Sequence, residues 1–179
     1  MHQSDRAAND VFAGPGEMKE RCRAMDWSMT ALGPPEAWSE ALRVTVRTCL
    51  DAAFPIAVWA GSDLVLIYND GYRRLLGSRH PPALGQTYPE VWPELWPQIA
   101  PLFAQIRSGG APIFAEDAPF VLQRDDGTIE DDVPNAWFTF SLSGVRNDEG
   151  EIIAILNIAS ETTARIRAER ERAAARAAA

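Results

Sequence analysis

The sequence predicts a domain of the α+β class, and three stretches carry this prediction. Ile56 to Ala60 and Leu64 to Asn69 are short runs of β-branched and aromatic residues, and Gly61-Ser62-Asp63 between them has the composition of a tight turn, so the two runs predict a β-hairpin. Apolar residues then recur at helical spacing from Leu95 to Ile106. Three further strand-like segments follow this helix, so strands and helices combine in one domain.

Length and composition indicate one globular domain with helical extensions. The chain has 179 residues, of which 46% are hydrophobic and six are Trp, enough to bury a substantial core. Its 17 basic and 25 acidic residues give a formal net charge of −8, which argues against nonspecific nucleic-acid binding. Cys22 and Cys49 lie inside helical patterns and predict reduced core thiols. Because no apolar run approaches a membrane span or a signal-peptide core, we expect a cytoplasmic protein with no membrane partner.

The first part of the chain predicts a mobile N-terminus and a helical leader. Residues 1–15 are polar and aperiodic, so we expect them to be mobile. Residues 16–53 predict two helices separated at Gly33-Pro34-Pro35, because Pro is tolerated in the first turn of a helix but not in its interior. The apolar face of the first helix comprises Met18, Cys22 and Met25, and that of the second comprises Trp38, Leu42, Val46, Cys49 and Ala53.

A short helix and then the core-facing helix follow the hairpin. Asn69 or Asp70 can cap a short helix that ends at Gly77, by accepting hydrogen bonds from its first amide groups. Residues 81–96 contain several Pro and predict short helical turns. Within the core-facing helix, Pro101 either bends the helix or marks its first turn.

The last part of the chain predicts three strands and an exit helix. Pro119 indicates that the strand from Ile113 to Gln123 lies at a sheet edge or contains a bulge. Trp137 to Ser143 alternates apolar and polar residues, and Ile152 to Ala159 is apolar enough to be a central strand. Residues 161–179 are rich in Ala, Arg and Glu and predict a helix that pairs with another helix or frays.

Several motifs occur in a fixed order along the chain. They are Asp26-Trp27-Ser28…Leu32-Gly33-Pro34…Trp38, Tyr68-Asn69-Asp70, Arg79-His80-Pro81…Ala83-Leu84-Gly85, Glu90-Val91-Trp92-Pro93-Glu94 and the exit sequence Glu161-Thr162-Thr163. Together they resemble the PAS domains found at the front of bacterial sensor histidine kinases. The resemblance implies a PAS fold, with a five-stranded antiparallel sheet and helices on one face. It also implies a leader and dimerisation segment over 16–53, a PAS core over 54–160 and a C-terminal signalling helix over 161–179.

Two features depart from the PAS domains that the chain resembles. The acidic segment from Gly127 to Asn135 is longer than theirs, and Gly144 stands where they often carry Pro. The acidic residues in and beside this segment are Asp125, Asp126, Glu130, Asp131 and Asp132. They lack the Asp-x-Asp-x-Asp-Gly spacing of a Ca²⁺ loop, so we expect a solvated turn and no metal site.

Aromatic residues on the expected inner surfaces are the candidates for a ligand cavity between the helices and the sheet. These candidates are Tyr68, Trp92, Trp96, Phe103, Phe114, Phe138 and Phe140. Because apolar pockets and packed cores share this composition, the same residues also fit a filled core. Asn157 is polar within an apolar strand; it needs a hydrogen-bond partner if it is buried, and it is a candidate to face the cavity.

The sequence does not identify a cofactor. His80 sits in an apparent surface loop, and the long helix, where haem-binding PAS domains carry their ligand, has no His, which argues against haem. A covalent flavin photosensor would need a Cys between Tyr88 and Trp96, and none occurs there; noncovalent flavin is left open. No Ser-His-Asp, Cys-His or paired-carboxylate set emerges, so no catalytic residue is predicted.

By this resemblance the protein is expected to be a sensory and interaction module of bacterial signal transduction. A small ligand or a partner would shift the sheet and change how the exit helices pair, in a homodimer formed through the leader and C-terminal helices. We expect the chain not to be an enzyme, so that any kinase or other output lies in a signalling domain or protein outside it. Two other interpretations stay open: a ligand-free dimerisation module, and a small curved-sheet hydrolase or isomerase with an aromatic pocket.

Overall fold

A single five-stranded antiparallel sheet organises the protein. The computed structural model describes residues 11–123 and 134–178. The strands are β1 (Ile56–Ala60), β2 (Val65–Tyr68), β3 (Ile113–Phe120), β4 (Ala136–Arg146) and β5 (Ile152–Glu161). Their order across the sheet is β2-β1-β5-β4-β3, and every pair is antiparallel. The predicted hairpin, the α+β class and the central position of the last strand are confirmed.

Six α-helices lie within the described ranges. They are α1 (Glu17–Ala24), α2 (Glu40–Asp51), α3 (Asp70–Leu76), α4 (Tyr88–Val91), α5 (Trp96–Arg107) and α6 (Thr163–Ala177). The leader comprises α1 and α2, and α6 is the exit helix. Pro101 lies inside α5 and does not mark its first turn, because the helix already begins at Trp96 with Pro97 in that turn. In the described part of the chain, no helix combines the length and the apolar character that crossing a bilayer requires.

The pairing register divides the sheet into an inner face and an outer face. Directly paired residues of antiparallel strands point to the same side, so Asn157 and its partner Leu142 share one face. This is the inner face, on which α5 contacts β4 and β5. Gly144 permits that close approach: a Cβ there would collide with Ile152 and lie 3.4 Å from Cγ2 of Ile106 in α5.

Asn69 fastens the hairpin to the end of the leader. This residue is fully buried, and its Oδ1 accepts hydrogen bonds from the amides of Ile56 (3.1 Å) and Tyr72 (2.9 Å). Its Nδ2 lies within hydrogen-bond distance of three carbonyl oxygens at the end of the leader: those of Cys49 (3.1 Å), Ala52 (3.0 Å) and Phe54 (2.7 Å). Asn69 therefore caps α3 and also joins the start of β1 to the end of α2 by hydrogen bonds.

The leader contributes to the same apolar core as the sheet. Trp27 and Trp38 pack edge to face with their ring centroids 5.3 Å apart, and Phe12 lies 5.9 Å from each of them. Val11 and Phe12, at the end of the segment that the sequence predicted to be mobile, are each 1% exposed; residues 1–10 lie outside the described part of the chain. Ala53 is exposed rather than on the buried face, because α2 ends at Asp51.

The exit helix is attached to the sheet through its first turns. The Thr163 hydroxyl accepts a hydrogen bond from the Trp137 amide (3.0 Å) at the start of β4. Arg165 forms an ion pair with Asp117, which has a positive φ of 48° at a bulge in β3. The Arg170 guanidinium lies over the Trp137 ring, 4.6 Å from its centroid. The prediction that β3 is an edge strand or carries a bulge is confirmed on both points.

Candidate functional site

An apolar cavity lies between α5 and the inner face of the sheet. Its volume is about 60 Å³. The lining residues are Tyr88, Trp92, Leu95, Ile99, Phe103, Phe120, Leu122, Phe138, Phe140, Leu142, Asn157 and Ala159. Residues of β3, β4 and β5 form its floor, and α4, α5 and the turn between them form its roof. None of the lining side chains carries a charge at neutral pH.

Asn157 supplies the side-chain amide of the cavity. Its Nδ2 donates to the carbonyl oxygen of Ser141 (3.2 Å), and a carbonyl can only accept, so the nitrogen end of the amide must face the strand. This leaves Oδ1, which accepts no hydrogen bond from the residues that the structure describes. The apolar lining therefore contains an amide oxygen that has no hydrogen-bond partner among the described residues.

Tyr88 is the other polar residue of the lining. Its ring packs against Trp59 and Phe103, with centroid distances of 4.5 and 5.1 Å. Burial raises the pKa of the Tyr88 hydroxyl well above its usual value, so this group stays neutral. The amide of Tyr88 donates to the carbonyl of Leu64 (3.1 Å), which fixes the start of α4 against the edge of the sheet.

The structure brings together five of the eight candidate residues. Those that line the cavity are Trp92, Phe103, Phe138, Phe140 and Asn157. The other three lie elsewhere. Phe114 pairs with Ser141 on the outer face and is 70% exposed. Trp96 packs against Tyr88 and Phe103 without lining the cavity. Tyr68 is on edge strand β2, and its hydroxyl is bonded to His80.

The sequence reasoning missed seven lining residues. They are Tyr88, Leu95, Ile99, Phe120, Leu122, Leu142 and Ala159. The helical spacing of Leu95 and Ile99 identified them as core residues, and the alternation of β4 placed Leu142 beside Phe140 on one face. These signals indicate burial, but they do not distinguish a residue that lines a void from one that fills a core.

Arg79 and Glu94 hold the wall of the cavity in place. The Arg79 guanidinium lies 4.2 Å from the centroid of the Trp92 ring and donates to the Val91 carbonyl (2.8 Å). It also forms an ion pair with Glu94, whose side chain is only 4% exposed. Glu94 Oε1 in turn accepts from the Gln123 amide (3.2 Å), so one carboxylate joins the α4–α5 turn to the end of β3.

His80 does not lie on a surface loop as the sequence suggested. Its side chain is 13% exposed, with Nδ1 2.7 Å from the Tyr68 hydroxyl and Nε2 2.7 Å from a carboxylate oxygen of Glu17. The expectation failed because Glu17 is distant in sequence and gives no local signal. Within 11–123 and 134–178, no three His, Cys, Asp or Glu side chains come together as a metal site would require. The acidic residues from Asp125 to Asp132 lie outside these ranges.

Several solved structures are similar to this one. The PAS domain of BvgS from Bordetella pertussis matches with a TM-score of 0.54 and 19% identity, over 79% of this chain and all of that one. An RNA-binding light-oxygen-voltage receptor matches with a TM-score of 0.49 and 22% identity, over 74% of this chain and 36% of that one. A sensory box sensor histidine kinase from Vibrio cholerae matches with a TM-score of 0.43 and 14% identity, over 67% and 88% of the two chains. At these identities the likeness concerns the fold alone.

The comparison with protein-family models identifies the family. No relative among curated proteins matches the chain. A family model described as "PAS fold" matches residues 51–167, which span the end of the leader, the whole sheet and the start of the exit helix. This match covers more than half of the chain, and the five-stranded sheet has the architecture that the sequence motifs predicted. The chain therefore belongs to the PAS family.

Proposed function

We propose that this protein is a sensory module that binds a small, uncharged ligand with one hydrogen-bond donor in the cavity beneath α5. The observation that carries the proposal is the free Oδ1 of Asn157 in a lining that is otherwise almost wholly apolar. Such a site favours an apolar body with a single N–H or O–H group. It disfavours carboxylates and phosphates, because no cation lines the cavity to compensate their desolvation.

The size of the cavity indicates how binding would become a signal. An engineered cavity that holds benzene has a volume of about 150 Å³. The cavity here is about 60 Å³, so a ring-sized ligand must push the lining apart. Strand β4 carries Phe138 and Phe140 on the cavity side and holds the exit helix through Trp137. A shift of β4 would therefore alter the direction of α6, which we propose passes the signal to an output domain or partner.

A set of ring compounds tests this proposal. Phenol, toluene and benzoate share one ring and differ in having a donor, no donor and a negative charge. We expect phenol to raise the melting temperature most, toluene less, and benzoate not at all. Asn157→Leu should remove the preference for phenol over toluene, a loss of about fivefold in relative affinity, because one hydrogen bond contributes about 1 kcal/mol. Asn147→Leu, in the exposed β4–β5 turn, is the matched control. Equal affinity for phenol and toluene in the wild type would contradict the assignment.

We also propose that the module works as a homodimer, with its output activity outside the chain and with leader and exit helices in the contact. Two exposed apolar side chains support this: Phe114 on the outer face of β3, and Val44 on α2 of the leader, 46% exposed. The same two side chains would serve a ligand-free dimerisation module, which becomes the preferred function if no ring compound binds.

The dimer is tested by placing a charge at each of these two positions. Val44→Glu and Phe114→Glu should each raise the dimer dissociation constant by about tenfold or more in sedimentation equilibrium, because burying an apolar side chain contributes about 1.5–3 kcal/mol. Ser62→Glu adds the same charge at an exposed position of the β1–β2 turn, outside α2 and β3, and should leave the dissociation constant unchanged. A wild-type protein that sediments as a monomer at every concentration would exclude the dimer.

A further inference from the structure

Residues 79–92 lie between the leader and the cavity and contact both. On one side this segment supplies Tyr88 and Trp92 to the cavity lining. On the other side this segment contacts the leader twice: His80 contacts Glu17 in α1, and Gly85 contacts Met25, the residue that follows α1. Any outward movement of the cavity wall must therefore be accommodated by the leader.

The first contact is a cluster around the carboxylate of Glu17, in the first turn of α1. Its Oε1 lies 2.7 Å from His80 Nε2 and 2.9 Å from Arg21 Nε, and its other oxygen pairs with Arg73 of α3. These partners lower the pKa of Glu17 to about 2, so the group is ionised at physiological pH. Glu17 is therefore one anchor of α1 on the core, beside the Met18 amide, which donates a hydrogen bond to Asp70 of α3 (2.9 Å).

His80 connects this anchor to the sheet. Its Nδ1 lies 2.7 Å from the hydroxyl of Tyr68 on β2, a group that is fully buried. One neutral tautomer satisfies both contacts: Tyr68 donates its proton to Nδ1, and Nε2–H donates to Glu17. The bond to Glu17 therefore needs no charge on His80.

The second contact is the approach of Met25 to Gly85. Gly85 has a positive φ of 82°, and a Cβ at this position would collide with the Met25 side chain. The Gly85 amide donates to the Leu66 carbonyl (2.9 Å), so the leader presses here on a segment that is bonded to β2. Three residues later, Tyr88 lines the cavity.

The cavity side of the same segment is equally well fixed. Arg79, next to His80 in sequence, holds Trp92 and the Val91 carbonyl. Neighbouring residues of one turn therefore bind the leader and the cavity wall, and neither contact can move far without the other.

We propose that docking of the leader and occupancy of the cavity oppose one another through residues 79–92. The inference rests on the proposed ligand site. A ligand larger than the present void pushes Tyr88 and Trp92 outward, which strains the contacts of His80 with Glu17 and of Gly85 with Met25. By reciprocity, a leader that is released from the core leaves the wall free to move and strengthens binding. The leader is then an internal antagonist of the ligand.

The test weakens the anchor without touching the cavity. Glu17→Ala removes the carboxylate that His80 and Arg73 bind. Glu20→Ala is the matched control. Glu20 lies in the same helical turn, but its side chain has no hydrogen bond or ion pair among the described residues. In the Glu17→Ala protein, the amides of α1 should exchange hydrogen about tenfold faster, while those of α5 stay unchanged. Its affinity for phenol should rise about fivefold, the lower end of typical coupling between sites. Saturating phenol should likewise accelerate exchange in α1 of the wild type.

The outcomes distinguish a failure of this inference from a failure of the proposed ligand site. Phenol binding with equal affinity in the wild type and both variants, despite faster exchange in α1, would overturn the coupling and leave the ligand site standing. Unchanged exchange in α1 of the Glu17→Ala protein would show that Glu17 does not anchor the leader, and would overturn the inference at its first step. If no phenol binds to any form, the proposed ligand site fails and this inference fails with it.

Discussion

Replacing Asn69 with Asp should lower the free energy of unfolding by about 3–5 kcal/mol. The substitution keeps the shape of the side chain, but it exchanges a donor for an anionic oxygen that faces three backbone carbonyls at the end of the leader. Leaving a buried polar group unsatisfied costs about 1–3 kcal/mol, and an uncompensated buried charge costs more. Chemical denaturation followed by Trp fluorescence would measure the change.

The control for this variant is Asn147→Asp. Asn147 forms hydrogen bonds with Glu151 in the exposed turn between β4 and β5. A carboxylate that replaces the amide at this position is hydrated by solvent. We expect the free energy of unfolding to fall by less than about 1 kcal/mol. The variant loses one hydrogen bond and places a second negative charge near Glu151, where the surrounding water screens the repulsion. If both variants lost the same small amount, the bonds of Asn69 would not hold the leader to the hairpin.

Replacing Arg79 with Ala should lower the free energy of unfolding by about 3 kcal/mol. Without the guanidinium, Glu94 remains as a carboxylate that is 4% exposed, with the Gln123 amide on one oxygen and no hydrogen-bond partner on the other in the described structure. Breaking a buried pair from one side costs about 3–5 kcal/mol, and the partial exposure of Arg79 places this pair at the lower end. The Trp92 ring also loses its stacked cation.

Two comparisons make this result specific to burial. Arg43→Ala breaks an Arg–Glu pair of the same kind within α2, but Glu40 is 66% exposed, so the loss should stay below about 0.5 kcal/mol. Adding Glu94→Gln to Arg79→Ala removes the stranded charge and should restore at least about 1 kcal/mol. A double variant no more stable than Arg79→Ala alone would mean that the loss comes from packing on Trp92 rather than from charge.

The sequence predicted local features well because their signals are local. The composition of the turn specified the β1–β2 hairpin, and a polar residue directly after β2 specified the cap of α3. The alternation of β4 placed Phe138 and Phe140 on one face, where both line the cavity. In each case the periodicity of a strand or helix decides which side chains share a face.

The features that local patterns could not predict are contacts between distant segments. The residues near His80 give no signal of its contact with Glu17, which lies 63 residues away in sequence. This contact explains why the His80 side chain, in an apparent surface loop, is mostly buried. Phe114 shows a second limit. Its exposure follows from its pairing partner on β4, and a one-residue change of register would have turned it inward. Register depends on tertiary pairing, so the aromatic character of the residue said little about its side of the sheet.

The attachment of the leader has a practical consequence for building chimaeric sensors. Phe12, Trp27 and Trp38 pack into one cluster, and Asn69 holds the backbone between the leader and β1. A junction placed at the start of β1 would cut through this packing and leave aromatic surface and buried donors without partners. Fusions should instead join the foreign segment before Val11, so that the transplanted domain keeps the leader residues that pack against its core.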